Sequence, residues 1–215
     1  MVALQLRQLS VPPGQRLVVR EVGWQEFEAI VEELGDDRAA RIAYYKGFLE
    51  IRMPSPEHEV DKELISDIVK ILLEELDIDC ECFGSTTFKS STMESGIELD
   101  QCFYIRNHAQ MRGRRRVDLN CAPPPDLAIE VDVTSKTQLD AYQALGVLEL
   151  WRFENGRLQI SLLEAGQYYP SEASPTFPNV PIGDLISEFV QLSATSGRSP
   201  TLKALRSRVR EFVQR

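Results

Sequence analysis

The sequence contains no apolar run approaching the ~18 residues that would mark a bilayer-spanning helix. Its opening segment, MVALQLRQLSVPPGQ, is too polar and too interrupted for a signal peptide, so the chain is expected to be intracellular, cytoplasmic and without membrane contact. Cysteine is scarce. Cys80, Cys82, Cys102 and Cys121 make no paired C-x-x-C spacing, and each lies in or beside an apolar, strand-like stretch, which argues for reduced, packed thiols over a zinc site or disulfides. An excess of basic residues is also missing. The net charge of −9 argues against nonspecific coating of nucleic acid, because phosphate neutralisation by Lys and Arg drives such binding. Two stretches could still supply a local basic surface for nucleic acid, RGRRR at Arg112 to Arg116 and the C-terminal LKALRSRVREFVQR; the first reads at least as well as a solvated loop and the second as an amphipathic surface helix. There is no internal repeat.

What is present divides cleanly into short elements. GWQEFEAIVEELG spaces its apolar residues for a helix ended by Gly35, and ARIAYYKGFLEIRM places two strand-like runs around Lys46-Gly47, a tight-turn pair. PSPEHEVDKELISDIVKILLEEL opens with Ser55 as N-cap and Pro56 at the first helical position, with Val60, Leu64, Ile68 and Leu72 at four-residue steps. CECF, TTFK and QCFYI are short strand candidates, with MESGIE as a turn between them. TQLDAYQALG is a helix closed by Gly146, and VLELWRFENGRLQISLL is a hairpin about Asn155-Gly156. A Pro-rich loop, the helix IGDLISEFVQL, the linker SATSGRSP and a last helix follow. The order implies one α/β domain with a mixed sheet flanked by helices.

One strand raises a chemical question. Leu127 to Val133 reads as a strand buried on both faces, yet it carries Glu130 and Asp132. An ionised carboxylate out of water is costly unless it is paired or coordinates a metal, so the pair marks either a buried charge network or a site. Strand alternation puts Glu130 and Asp132 on the face of Ala128, opposite Ile129 and Val131. Asp126 stands about 13 Å from Glu130 along the same strand, too far to share an ion. Asp100 in GIELDQCFYI, at the entry to another apolar strand, could be brought beside Glu130.

An acid at one strand entry, followed some thirty residues later by E-x-(D/E/K) on a strand, resembles the PD-(D/E)xK nuclease superfamily. LEIRMPSPEHE, GSTTFK, GIELDQCFYI, PPPDLAIEVDVTS and YQALGVLELWRF, in this order, resemble a bacterial family of putative restriction endonucleases within it. The resemblance implies a restriction-endonuclease-like fold over 21–193, with an N-terminal segment at 1–20 and a linker plus C-terminal amphipathic helix at 194–215. It implies that Asp100, Glu130 and the Val131 carbonyl ligate Mg²⁺ or Mn²⁺, that Glu59 is a helix-borne acid with His58 beside it, and that Asp132 takes the third position of E-x-K. That position usually holds lysine. Asp132 could serve as general base or hold a second metal, or Lys89 or Lys136 could supply the missing charge, although a surface role explains either lysine as well. The implied function is a Mg²⁺-dependent DNA endonuclease, expected as a homodimer; the alternative is a degenerate fold serving as a nucleic-acid-binding or protein-interaction module.

Overall fold

The computed structural model describes residues 9–35, 39–115, 117, 119, 121–132 and 135–213. Its first half contains β1 (Arg16–Arg20), α1 (Trp24–Leu34), β2 (Arg41–Tyr45), β3 (Phe48–Arg52), α2 (Pro56–Glu75), β4 (Glu81–Cys82), β5 (Thr87–Ser90), β6 (Ser95–Glu98) and β7 (Gln101–Tyr104). Then come α3 (His108–Met111), β8 (Leu127–Val131), α4 (Lys136–Leu145), β9 (Glu149–Glu154), β10 (Arg157–Glu164), β11 (Gln167–Ser171), α5 (Ile182–Ser196) and α6 (Arg198–Val213). Turn chemistry sets several boundaries. Lys46 and Gly47 at the β2–β3 turn, and Asn155 and Gly156 at the β9–β10 turn, all have positive φ, as a two-residue turn matched to strand twist requires. Ser55 caps α2 by accepting the His58 N–H at 3.2 Å.

The expected α/β architecture is present, with its strands divided between two sheets. The first has the order β1-β3-β2-β6-β5 and is antiparallel throughout; the second has the order β11-β10-β9-β8-β7-β4, with β8 and β9 as its parallel pair. A parallel pair needs a crossover, and α4 provides it, from a Ser135 cap to Gly146 in the left-handed conformation. α1 covers the outer face of the first sheet through Phe27, Ile42, Tyr44 and Leu49. α4 lies between the two sheets, and α2, α5 and α6 pack on the far side of the second around Leu72, Ile129, Trp151 and Phe189. Leu99 and Asp100 alone carry the chain from β6 in one sheet to β7 in the other.

Three local expectations change. MESGIE is not all turn: Ser95–Glu98 forms β6, and Gly96 admits the Phe27 ring, which a Cβ there would meet at 2.6 Å. SATSGRSP is not an extended linker, since α5 runs to Ser196 and α6 starts at Arg198, leaving Gly197 as the break. Cys102 is buried as expected of a packed thiol, but Cys80 is half-buried and Cys82 and Cys121 are exposed; none forms a disulfide. Among the described residues no helix is long and apolar enough to cross a membrane.

Candidate active site

β8 presents its two faces to different neighbours. Leu127, Ile129 and Val131 enter the core with α2, whereas Ala128 joins the cluster beneath α4, and Glu130, two residues on, takes the same side. Glu130 is therefore aimed into the space between the sheets, where it is fully buried. The main-chain N–H of Asp100 donates to Glu130 Oε1 at 3.1 Å, and the Tyr142 hydroxyl from α4 donates to the same oxygen. Glu130 Oε2 has no hydrogen-bond partner.

Asp100 is just as buried and far better satisfied. Its Oδ2 accepts from Val131 N–H at 3.0 Å and lies 2.8 Å from His58 Nε2. From β3, Arg52 Nη2 donates to Oδ1 at 3.2 Å. The same guanidinium reaches across to the second sheet. Its Nη1 donates to the Val131 carbonyl at 3.0 Å, and its Nη2 stands 3.6 Å from Glu130 Oε2. Asp100, Glu130 and the Val131 carbonyl thus converge on one positive group.

The two carboxyls are polarised apart. Burial pushes Asp100 up, but the His58 hydrogen bond and the Arg52 charge outweigh it and hold the group at about 2. Glu130 is raised well above the usual carboxylate range by burial and then by the Asp100 charge, which Arg52 and the Tyr142 hydroxyl only partly offset. Tyr142 is pushed up by its own burial and by Glu130. One ionised carboxylate, one carboxyl held toward its protonated form and one guanidinium leave the cluster near neutrality.

A family model described as Uma2, "Putative restriction endonuclease", matches residues 24–195. The chain belongs to this family. It is similar to the crystal structure of a putative nuclease belonging to DUF820 from Anabaena variabilis ATCC 29413, at 15% identity over 72% of this chain and 90% of that one, with a TM-score of 0.47. No curated protein matches the chain. The Uma2 description agrees with the nuclease family expected from the spaced motifs.

Around the Uma2 carboxylates the remaining candidates divide into near and far. Glu59, half-buried on α2, lies 3.4 Å from His58 Nδ1 and accepts from Lys62 Nζ at 2.5 Å. Val131 closes β8, so the alternation that would put Asp132 beside Glu130 ends one residue early. Asp132 has φ 54°, donates its N–H to the Phe153 carbonyl at 2.9 Å, and is exposed. Burial, and after it the Asp132 charge, raises Asp61 on α2. Lys89 and Lys136 are not brought into the cluster. Lys89 is an exposed β5 residue paired with Glu28 at 3.1 Å, and Lys136 is exposed at the first position of α4.

Several members of the cluster were not anticipated. Arg41 from β2 donates to the buried Glu98 at 2.9 Å and approaches Glu59 at 3.7 Å and Asp100 at 3.9 Å. The strand register sets Arg16, Arg52 and Arg41 abreast across β1, β3 and β2, on one face of the first sheet. Lys62, the only buried lysine among the described residues, lies one helical turn beyond His58. The stretch FLEIR carries a signal for part of this: Glu50 and Arg52 interrupt an apolar run two residues apart, as Glu130 and Asp132 do in LAIEVDV. The described arginines of RGRRR do not take part. Arg112, Arg114 and Arg115 are exposed, and Arg116 lies outside the described residues.

Proposed function

We propose that this protein is a divalent-metal-dependent endonuclease hydrolysing DNA phosphodiester bonds, with Asp100, Glu130 and the Val131 carbonyl as ligands for Mg²⁺ or Mn²⁺. The observation that carries this reading is the convergence of three hard oxygens on a single cationic position, with Glu130 Oε2 buried and without a hydrogen bond. Among the described residues no three His, Cys, Asp or Glu side chains are grouped to hold a metal, and the donor set here is two carboxylates and one main-chain oxygen. Oxygen donors of this type suit a hard cation. When bound, such a cation polarises the phosphate and lowers the pKa of a coordinated water.

The chain's own groups have separable tasks in this reading. His58 holds Asp100 in place and favours its ionised form. The Asp100 N–H and the Tyr142 hydroxyl fix Glu130 Oε1, which leaves Oε2 as the donor. Asp132, exposed where the chain leaves β8, accepts the proton of the attacking water, a role an aspartate fills without the lysine's positive charge. Lys62 on α2 is better placed than Lys89 or Lys136 to supply that charge, because it sits one turn from the His58–Asp100 contact. The exposed Arg112, Arg114 and Arg115 offer the phosphate-binding surface, since α6 has its Arg206 and Arg210 paired with Glu74 and Glu75. A C₂ homodimer would present two such sites to the two strands of a duplex.

A second reading has a specific observation in its favour. Arg52 already neutralises the oxygens that a metal would use, which suits a catalytically silent scaffold that binds nucleic acid or another protein. A cleavage assay on duplex, single-stranded and branched DNA with Mg²⁺ and Mn²⁺ separates the two. The nuclease reading requires metal-dependent cleavage that disappears in Asp100→Ala and Glu130→Ala. Absence of cleavage on every DNA form with either metal would leave the scaffold.

A further inference from the structure

We infer that Arg52 is the resident cation of this site and sets its affinity for divalent metal: the guanidinium must leave the Asp100, Glu130 and Val131 oxygens before a metal can take them. The inference rests on the metal reading of those oxygens. A guanidinium fixed at 3.0 Å from the Val131 carbonyl and 3.2 Å from Asp100 cannot share them with a second cation, both because its nitrogens fill the space and because like charges repel. It also has the advantage of being tethered. A metal from solution must displace a group whose local concentration is fixed by the chain, so its apparent affinity is reduced by the fraction of molecules in which Arg52 is out.

Two details indicate that Arg52 is held in place without being fully satisfied. Its Nε is buried with no hydrogen-bond partner, and its approach to Glu130 Oε2, at 3.6 Å, is an ion pair too long for a hydrogen bond. Among the described residues, five of the six buried side-chain polar atoms without partners belong to this neighbourhood, on Arg41, Glu50, Arg52, His58 and Glu130. Such concentration in one place marks a cluster built to exchange partners.

The structure also supplies a place for Arg52 to go. Glu50 lies two residues earlier on β3, on the same face and about 6.6 Å away along the strand, within reach of an arginine. Its carboxylate is 2% exposed, its Oε1 has no hydrogen-bond partner, and its Oε2 is 3.9 Å from Arg16. Swinging from Asp100 and Glu130 to Glu50 would exchange one buried anionic berth for another.

The test is metal binding, read by titration calorimetry and by the metal-induced rise in Tm, with Mn²⁺ and Mg²⁺ as probes. Arg52→Met, which keeps length without charge, should bind Mn²⁺ about tenfold more tightly or better, with a lower metal-free Tm and a larger metal-induced rise than the parent. Glu50→Gln keeps the plug but removes its second berth, so it should weaken binding several-fold; this variant keeps the inference testable if Arg52→Met does not fold. Adding Glu130→Gln to Arg52→Met should abolish the response. If the parent binds metal as tightly as Arg52→Met, Arg52 is no plug, while the metal reading stands. Unchanged affinity in Glu50→Gln removes the second berth. If parent and Arg52→Met both fail to bind, the metal reading falls and this inference falls with it.

Discussion

His58 Nε2 lies 2.8 Å from Asp100 Oδ2, and this contact ties the first turn of the 20-residue helix α2 to the link that joins the two sheets. Both partners are buried. Replacing His58 with Phe leaves Asp100 short of one hydrogen bond in a dry environment, a loss of about 1–3 kcal/mol. Denaturant unfolding of His58→Phe and His58→Gln should show that cost in the first and partial recovery in the second. Under the proposed nuclease function, cleavage should fall chiefly in kcat, because His58 would act by positioning Asp100 and would not contact the substrate.

Asp100 and Glu130 give stability opposite dependences on pH. Asp100, depressed to about 2, contributes roughly 2 kcal/mol that is fully present above its unfolded value of ~3.9 and is lost as pH falls through the folded value. Glu130, raised, binds more protons folded than unfolded, so stability falls as pH climbs from ~4.3 toward its folded pKa. Thermal midpoints measured from pH 2 to 9 should lose the acid limb in Asp100→Asn and flatten on the alkaline side in Glu130→Gln.

The C-terminal helix should behave as a packing element. Leu205 and Val209 are fully buried against α2 and α5, and Leu205→Ala is expected to cost about 2–5 kcal/mol. Arg210→Ser, on the exposed rim, should leave Tm essentially unchanged. In fluorescence anisotropy, substituting Arg112, Arg114 and Arg115 should flatten the salt dependence of DNA binding; substituting Arg206 and Arg210 should not.

Asp132 separates backbone need from chemistry. Its φ of 54° is one that Asn adopts readily, so Asp132→Asn should keep the fold while lowering a general-base-dependent rate by about 10²–10⁴-fold. If the residue only occupies the place of a lysine, Asp132→Lys should preserve or increase cleavage.

Gly96 gives a purely steric prediction. A methyl group there would stand 2.6 Å from Phe27 Cζ, so Gly96→Ala should cost about 1–3 kcal/mol and loosen α1, visible as faster amide exchange over Trp24–Leu34.

Local signals were legible where local chemistry decides the outcome. Ser55-Pro56 starts α2, Gly146 ends α4 and Asn155-Gly156 turns β9 into β10, because each residue type matches the dihedral or hydrogen bond needed there. Glu130 stood out because an acid in an apolar run costs energy wherever the strand goes. Its partners did not. Arg52 is 78 residues from Glu130 in sequence and in another sheet, and only the stacking of the two sheets on α4 brings them together. The strand β6 was hidden for a similar reason: SGIE has weak strand character alone, and its glycine makes sense only under the Phe27 ring. The tail's arginines read as a basic face in the sequence, whereas in the fold Arg206 and Arg210 pair with Glu75.

The two-residue passage at Leu99 and Asp100 gives the charge cluster a mechanical duty as well. Arg52 from one sheet, Glu130 from the other and Asp100 at their junction form a clasp, and severing it would let the halves slide on α4. A folded chain would then need these charges whether or not the site carries out any chemistry, so their presence alone is no sign of activity.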